Sequence, residues 1–317
     1  MTPDPTREDV LANLSKHSYI REIAQFSMLH SLASTYTEST VVGTPDVVVR
    51  GRWGNLEGGF LGEHLLLNYR PDGANMGFGL GVARFFQHDA VMSSVHADLE
   101  EDLEGAIKLP HPKQLRAGLS AVVGSRRSKR AFAGEAVSLQ DLSTLLQHAC
   151  GVSGTLPVPS LADESNASIK VRCAPSGGGL YPVSLYLIAF NVEDLPGVLY
   201  EYLPVAHSLR NVPTERSRDD LALTCYTSEF DIKDTSFVAV YVYDLYKNSR
   251  KYGNSGVVFG LIEVGAMSQN LHLARTAMGM AGCCLGGYNK QKIEQALQID
   301  GVSRHVVHVT AIGQEAS

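Results

Sequence analysis

Three short segments carry residue types that could do chemistry. Arg126-Arg127-Ser128-Lys129-Arg130 places four cations and a hydroxyl within five positions. Guanidinium forks grip a phosphate through paired hydrogen bonds, and a serine adds another. Taken alone, such a cluster reads more often as a solvated basic turn. Arg172-Cys173-Ala174-Pro175-Ser176-Gly177-Gly178-Gly179-Leu180-Tyr181-Pro182 holds three consecutive glycines between prolines. Backbone without side chains lets a planar ring or a phosphate approach closely. No Gly-Lys-Ser/Thr follows, so this is not a Walker loop. A plain tight turn is an equal reading. Lys251-Tyr252 sets an ammonium beside a phenol. A neighbouring cation favours the phenolate and makes it a usable base. Read alone, the pair is a surface loop between a strand and a helix. Gly77-Phe78-Gly79-Leu80-Gly81 has the wrong spacing for a dinucleotide fingerprint and reads as a loop. Cys283-Cys284 reads as packing, because neighbouring cysteines strain to pair.

These segments need elements to position them. Ser138 is a plausible N-cap for a helix over Leu139 to His148. Val183 to Phe190 and Ser236 to Tyr243 read as apolar strands. Val198 to Arg210 reads as a hairpin turning at Pro204 to His207, and His305 to Ile312 as a final strand. A long helix runs from about Gly256 to Met280 and is closed by Gly282. Its apolar residues, among them Val258, Phe259, Leu261, Ile262, Val264, Met267 and Leu271, spread around the whole circumference. A helix apolar all round must be covered on all sides. A second subunit is the simple cover, so a homodimer is expected. The fold class is α+β: a central antiparallel or mixed sheet flanked by helices around a long buried central helix.

The N-terminal third is less regular. Glu8 to Ser34 reads as helix, Val41 to Gly51 as a broken strand, and Gly51 to Phe60 as a glycine-rich loop with the only tryptophan, Trp53. Glu63 to Tyr69 fits helix or strand, and Asp72 to Gly81 is glycine-rich again. Asp98 to Lys113 reads as a linker. That gives an N-terminal extension, 1–114, and a main domain, 115–317. The formal net charge of −6 argues against a nucleic-acid partner. Five cysteines without a CxxC pair argue against a disulfide framework or structural zinc site, and no metal is expected. The polar start and the Glu263, Gln269, Asn270 and Arg275 of the long helix point to a cytoplasmic protein without a membrane span.

In order, the segments resemble the flavin-binding core of the nitroreductase superfamily, and more narrowly the azoline (thiazoline/oxazoline) dehydrogenases. The resemblance rests on Arg126 to Phe132, on Arg172 to Pro182, and on Gly197 to Pro204 with His207 and Leu209. It extends through Lys251-Tyr252-Gly253, Leu261 to Gly265, Gln269-Asn270-Leu271 and Gly279 to Gly287, to Ile312-Gly313. It implies FMN as cofactor. Arg126, Ser128 and Arg130, with Arg127 beside them, would hold the phosphate and ribityl chain or the pyrimidine edge. Arg172 would add a cation. Pro175, Ser176 and Gly177, with Gly178, would line the isoalloxazine ring. Asn270 and Gly286-Gly287 would complete the site. Lys251 and Tyr252 match the family's catalytic pair. The sequence ends at Ser317 without the basic tail of other nitroreductases, so phosphate contacts there do not carry over.

The activity so implied is oxidation of thiazoline or oxazoline rings to thiazoles or oxazoles, on a peptide or a carrier-protein-bound chain, with a cyclase or synthetase as partner. Tyr252 would take the acidified ring proton, with Lys251 lowering its pKa. The hydride would go to FMN, with oxygen as final acceptor. Alternatives are an NAD(P)H-dependent nitroreductase or quinone reductase, a mainly scaffolding flavoprotein subunit of a synthetase complex, and a binding module without flavin.

Overall fold

The computed structural model describes residues 101–157 and 168–316, together with Leu65 and Tyr69. The expected helix over Glu8 to Ser34, the Val41 to Gly51 strand and the glycine-rich stretches 51–60 and 72–81 lie outside the described residues. The chain divides into two compact units, Met1–Asp72 and Gly73–Ser317. Apart from Leu65 and Tyr69, the described residues all belong to the second unit.

In chain order its elements are β1 (Ile107–Lys108), α1 (Leu119–Ser125), α2 (Leu139–Cys150), β2 (Val152–Pro157), β3 (Ser168–Arg172) and β4 (Val183–Ala189). Then come β5 (Leu199–Leu203), β6 (Ser208–Asn211), α3 (Arg218–Ala222), β7 (Phe237–Asp244) and α4 (Leu245–Tyr252). The last are α5 (Ser255–Ala277), β8 (Ala281–Leu285), α6 (Lys290–Ala296) and β9 (Arg304–Gly313). Seven strands form one sheet in the order β1-β6-β5-β4-β7-β9-β8, and β2 pairs with β3 apart from it. Every named pair is antiparallel. This is the expected α+β architecture.

The sheet is covered on both faces, which explains why β4 and β7 read as unbroken apolar runs. Alternate residues of a strand point to opposite sides. Leu185, Leu187, Ala239 and Tyr241 meet α2 and α5. Ile188, Val238 and Val240 meet α3 and α6. Leu142, Leu145 and Leu146 of α2 are wholly buried. Each such leucine contributes about 1.5–3 kcal/mol. Ser138 caps α2 as expected, its side chain accepting from Asp141 N.

Three readings need correction. The long helix stops at Ala277, and its closing glycine is Gly279 with φ +73°, while Gly282 lies inside β8. The stretch read as a linker contributes β1, and Glu101 accepts from Val205 N and Ala206 N at the hairpin turn. Lys251-Tyr252 is not a loop but the last turn of α4. Asp244 starts that helix by accepting from Tyr246 N and Lys247 N, and Gly253 ends it at φ +54°. The short spacing between strand and long helix hides it, because capping rather than apolar periodicity defines it. Among the described residues, no helix is long and apolar enough to cross a membrane.

Candidate functional site

Two polar centres flank the central helix. The first gathers around Gly178. A Cβ added there would lie 2.4 Å from the Tyr252 hydroxyl and 2.6 Å from Lys251 Nζ. Gly178 has φ +65°, so both the backbone and the space above it require glycine. The segment is braced from several sides. Gly177 abuts the Phe259 ring, and Tyr252 meets Phe259 edge-on at 5.0 Å. Ser176 Oγ accepts from Tyr181 N at 2.8 Å, and the Tyr181 hydroxyl accepts from Arg172 N at 2.9 Å.

The corner that delivers Lys251 and Tyr252 is built by a buried chain of hydrogen bonds. Tyr243 donates to Asn248 Oδ1, and Asn248 Nδ2 donates to the Gly256 carbonyl, both at 2.7 Å. Helix α5 sits so close to β7 that a Cβ at Gly260 would strike the Tyr243 ring. Lys251 is only 8% exposed. Burial pushes its ammonium down to about 8. Burial also raises the Tyr252 phenol. Burial therefore opposes the expected effect of a cation lowering the phenol: desolvation disfavours the charged form of both groups.

The second centre is a cleft of about 430 Å³ on the other side of the helix, within the size of small-molecule pockets, roughly 300–1,000 Å³. It is lined by Arg126 and Ser128, by Ser268, Gln269 and His272 of α5, and by Cys284 of β8 and His308 of β9. Among the described residues no carboxylate lines it, and Arg275 and Arg126 both depress His272 beyond the effect of its burial. This donor set suits a phosphate-bearing ligand.

The structure separates the expected site residues. Of the basic cluster, Arg126 and Ser128 line the cleft. Arg127 donates to the Gly124 and Arg126 carbonyls, closing α1. Arg130 pairs with Glu229 and Lys129 with Glu315. Arg172 stacks on Tyr181 and lines a different cavity with Tyr202, Arg210 and Lys247. Asn270 donates to the Ala149 and Cys173 carbonyls, tying the glycine segment to α2. Gly287 packs on the Tyr226 backbone, with Gly286 exposed beside it, just beyond Cys284. Pro175, Ser176, Gly177 and Gly178 stay together with Lys251 and Tyr252. They do not meet Arg126 within one chain. Phe259 and Leu261 are two residues apart, about 200° around a helix, so the glycine segment and the cleft occupy opposite sides.

The sequence reading missed Ser268, His272, Cys284 and His308. A signal existed: Ser268 and His272 are polar residues four apart, one turn above the other on the same face of a mostly apolar helix. His207, quoted with the hairpin, bonds Ser143 and Tyr202 and anchors the turn to α2. Among the described residues, no cluster of His, Cys, Asp and Glu could hold a metal ion.

The model of the Nitroreductase family matches residues 123–314. The chain belongs to the nitroreductase family. A protein of Methanocaldococcus jannaschii named for the same family is 29% identical over 196 residues, 61% of this chain and 89% of that one. The microcin B17-processing protein McbC of Escherichia coli is 27% identical over 133 residues, 41% of this chain and 49% of McbC. This match therefore spans about half of McbC. Among solved structures, the E. coli microcin synthetase McbBCD complex with truncated pro-MccB17 bound gives a TM-score of 0.51 at 24% identity, covering 65% of this chain and 76% of that one. A nitroreductase-family structure from Ralstonia eutropha JMP134 gives 0.53 at 23% identity, covering 69% and 93%. At these identities the structures establish the shared fold.

Proposed function

We propose that this nitroreductase-family chain is an FMN-dependent oxidoreductase that dehydrogenates azoline rings in a peptide or carrier-bound chain. The observation that carries the reading is the convergence of Lys251 Nζ and the Tyr252 hydroxyl over Gly178. The relationship to McbC supports a peptide substrate and synthetase partners, and the cation-lined cleft supports the cofactor. Arg126 and Ser128 would hold the FMN phosphate. When bound, FMN supplies the two-electron acceptor for the hydride that leaves the ring.

The chain's own residues then handle the proton. In an azoline, the carbon bearing the carboxamide lies between C=N and C=O, and its C–H is acidified. Lys251, brought down to about 8 by burial, is the acceptor in its deprotonated fraction, and the Tyr252 hydroxyl passes the proton to it. Phe259 and the glycine segment hold the pair in place. The reading also requires a homodimer. One copy's cleft and another copy's glycine segment flank the exposed side of α5, so a second copy packed there completes the site.

Absorbance of the purified protein tests the proposal, before and after a thiazoline peptide is added anaerobically. The flavin spectrum should bleach. Tyr252→Phe should stay yellow with turnover reduced at least about 100-fold, the usual scale of a lost acid–base group. The rate should rise with pH and level off above about 8, because Lys251 accepts only when deprotonated. Full activity in Tyr252→Phe removes that residue from the reaction. Bleaching by NADPH but not by the peptide favours a nitroreductase or quinone reductase. Ring formation restored in partner proteins by an inactive variant favours a scaffold. A colourless protein that FMN does not stabilise rejects the flavin reading.

A further inference from the structure

The glycine segment that carries Gly178 is sharply bent. Gly178, Gly179 and Tyr181 have φ of +65°, +67° and +48°. That region is open to glycine but disfavoured for a tyrosine. A stretch so bent leaves the regular strand ladder, so side chains must hold it. One stripe of α5 supplies them. Phe259, Glu263 and Asn270 are spaced by four and then seven residues, which places them on one face of the helix. Phe259 abuts Gly177, Asn270 donates to the Cys173 carbonyl before the segment, and Glu263 Oε1 accepts from Val183 N after it, at 3.4 Å.

Glu263 is the costly member of this stripe. It is 2% exposed, and its Oε2 has no hydrogen-bond partner among the described residues. Burial pushes its carboxyl up to about 7, while the nearby Ser176 hydroxyl, Arg172, Val183 N and Lys247 pull the other way. A leucine would fill the space without that cost. It would also strand an amide. On the β7 side the bond at this level runs from Asp244 N to the Pro182 carbonyl, and the pairing of β4 with β5 starts only at Tyr186. Val183 N, in a residue 1% exposed, is therefore left to the Glu263 carboxyl.

We propose that Glu263 is a positioning residue for Lys251 and Tyr252: bonded to Val183 N and standing beside Ser176, its carboxyl fixes the glycine segment at both ends and so sets Gly178 at its distance from Lys251 Nζ and the Tyr252 hydroxyl. The inference rests on the reading of Lys251 and Tyr252 as the reacting pair. Glu263 acts on them through the backbone of residues 176–183.

Three variants of the full chain test this. Glu263→Gln keeps an oxygen for Val183 N. Glu263→Leu fills the space without one, and Glu263→Asp keeps the acid but falls one methylene short. Competitive acetylation with acetic anhydride from pH 6 to 11, read by mass spectrometry of the Lys251 peptide, gives the ammonium's midpoint without flavin or substrate. The parent should show about 8, held there by burial. Glu263→Leu and Glu263→Asp should raise it towards the ordinary lysine value, about 10.4, because a shifted segment opens the pair to water. Glu263→Gln should stay near the parent. The sign is diagnostic: deleting a nearby carboxylate by charge alone disfavours a cation and lowers the midpoint. With FMN and a thiazoline peptide, Glu263→Leu should lower kcat by up to about 100-fold, the cost of a group displaced by about 1 Å, with KM little changed, and Glu263→Gln should restore most of it. Where Glu263→Leu does not fold, Glu263→Asp decides. A midpoint unchanged or lowered in both overturns the proposal, as does Glu263→Gln behaving like Glu263→Leu. A raised midpoint in a chain inactive on the peptide supports the positioning role while failing the dehydrogenation reading, so the two failures are distinguishable.

Discussion

Gly178 shows how narrowly a single position can be specified. Its φ of +65° costs a side-chain-bearing residue about 1 kcal/mol. The atoms above it add a second constraint, since a methyl group would displace both Lys251 and Tyr252. Gly178→Ala is therefore expected to lower thermal stability only slightly and turnover severely. Paired melting and rate measurements check this. A variant that turns over normally would show that the pair need not sit over this glycine. The glycine run and the Lys-Tyr pair were each legible in the sequence as candidates. Their meeting was not, because the Tyr243-Asn248-Gly256 corner that brings them together joins residues with no shared periodicity. The basic cluster looked like one unit and divides in the fold. Its composition suited a phosphate, but Arg130 is taken by Glu229, nearly a hundred positions later, and Arg127 by its own helix end.

At the scale of elements, the strands and α2 were readable from apolar runs and a serine cap, since those signals are local. Helix α4 was not, because it is short and polar and is defined by its ends. Helix α5 carries a buried acid. Glu263 is 2% exposed, accepts from Val183 N through Oε1, and leaves Oε2 without a partner among the described residues. Burial raises its carboxyl to about 7, against Ser176, Arg172, Val183 N and Lys247, which favour the charged form. The unfolded value is about 4.3. A raised acid binds its proton more tightly when folded, so it destabilises progressively as pH climbs from about 4.5 to 7, by up to about 3 kcal/mol. Glu263→Gln should therefore gain stability relative to the parent between pH 5 and pH 8, measured by denaturant unfolding. A difference independent of pH would mean that Arg172 and Lys247 neutralise the carboxylate fully.

The whole molecule poses the question of the second copy. The apolar circumference of α5 calls for cover on every side. In one chain the face with Leu261 and Ile262 stays open, Ile262 being 63% exposed. An apolar face of this kind marks an interaction site. Ile262→Glu should leave the single chain folded, since the side chain is already in water, but should abolish the dimer and weaken flavin retention together. Light scattering and the flavin absorbance of the eluted peak report both. A parent protein that elutes as a monomer while retaining flavin would sink the two-copy site.

Arg275, 1% exposed, ties three stretches of chain together, donating to the Arg127 carbonyl, to the Met280 carbonyl and to His272 Nδ1. One guanidinium thus acts as a shared keystone: helix α5, the basic segment and the start of β8 all hang on a single side chain, so shortening it would loosen all three together rather than any one of them.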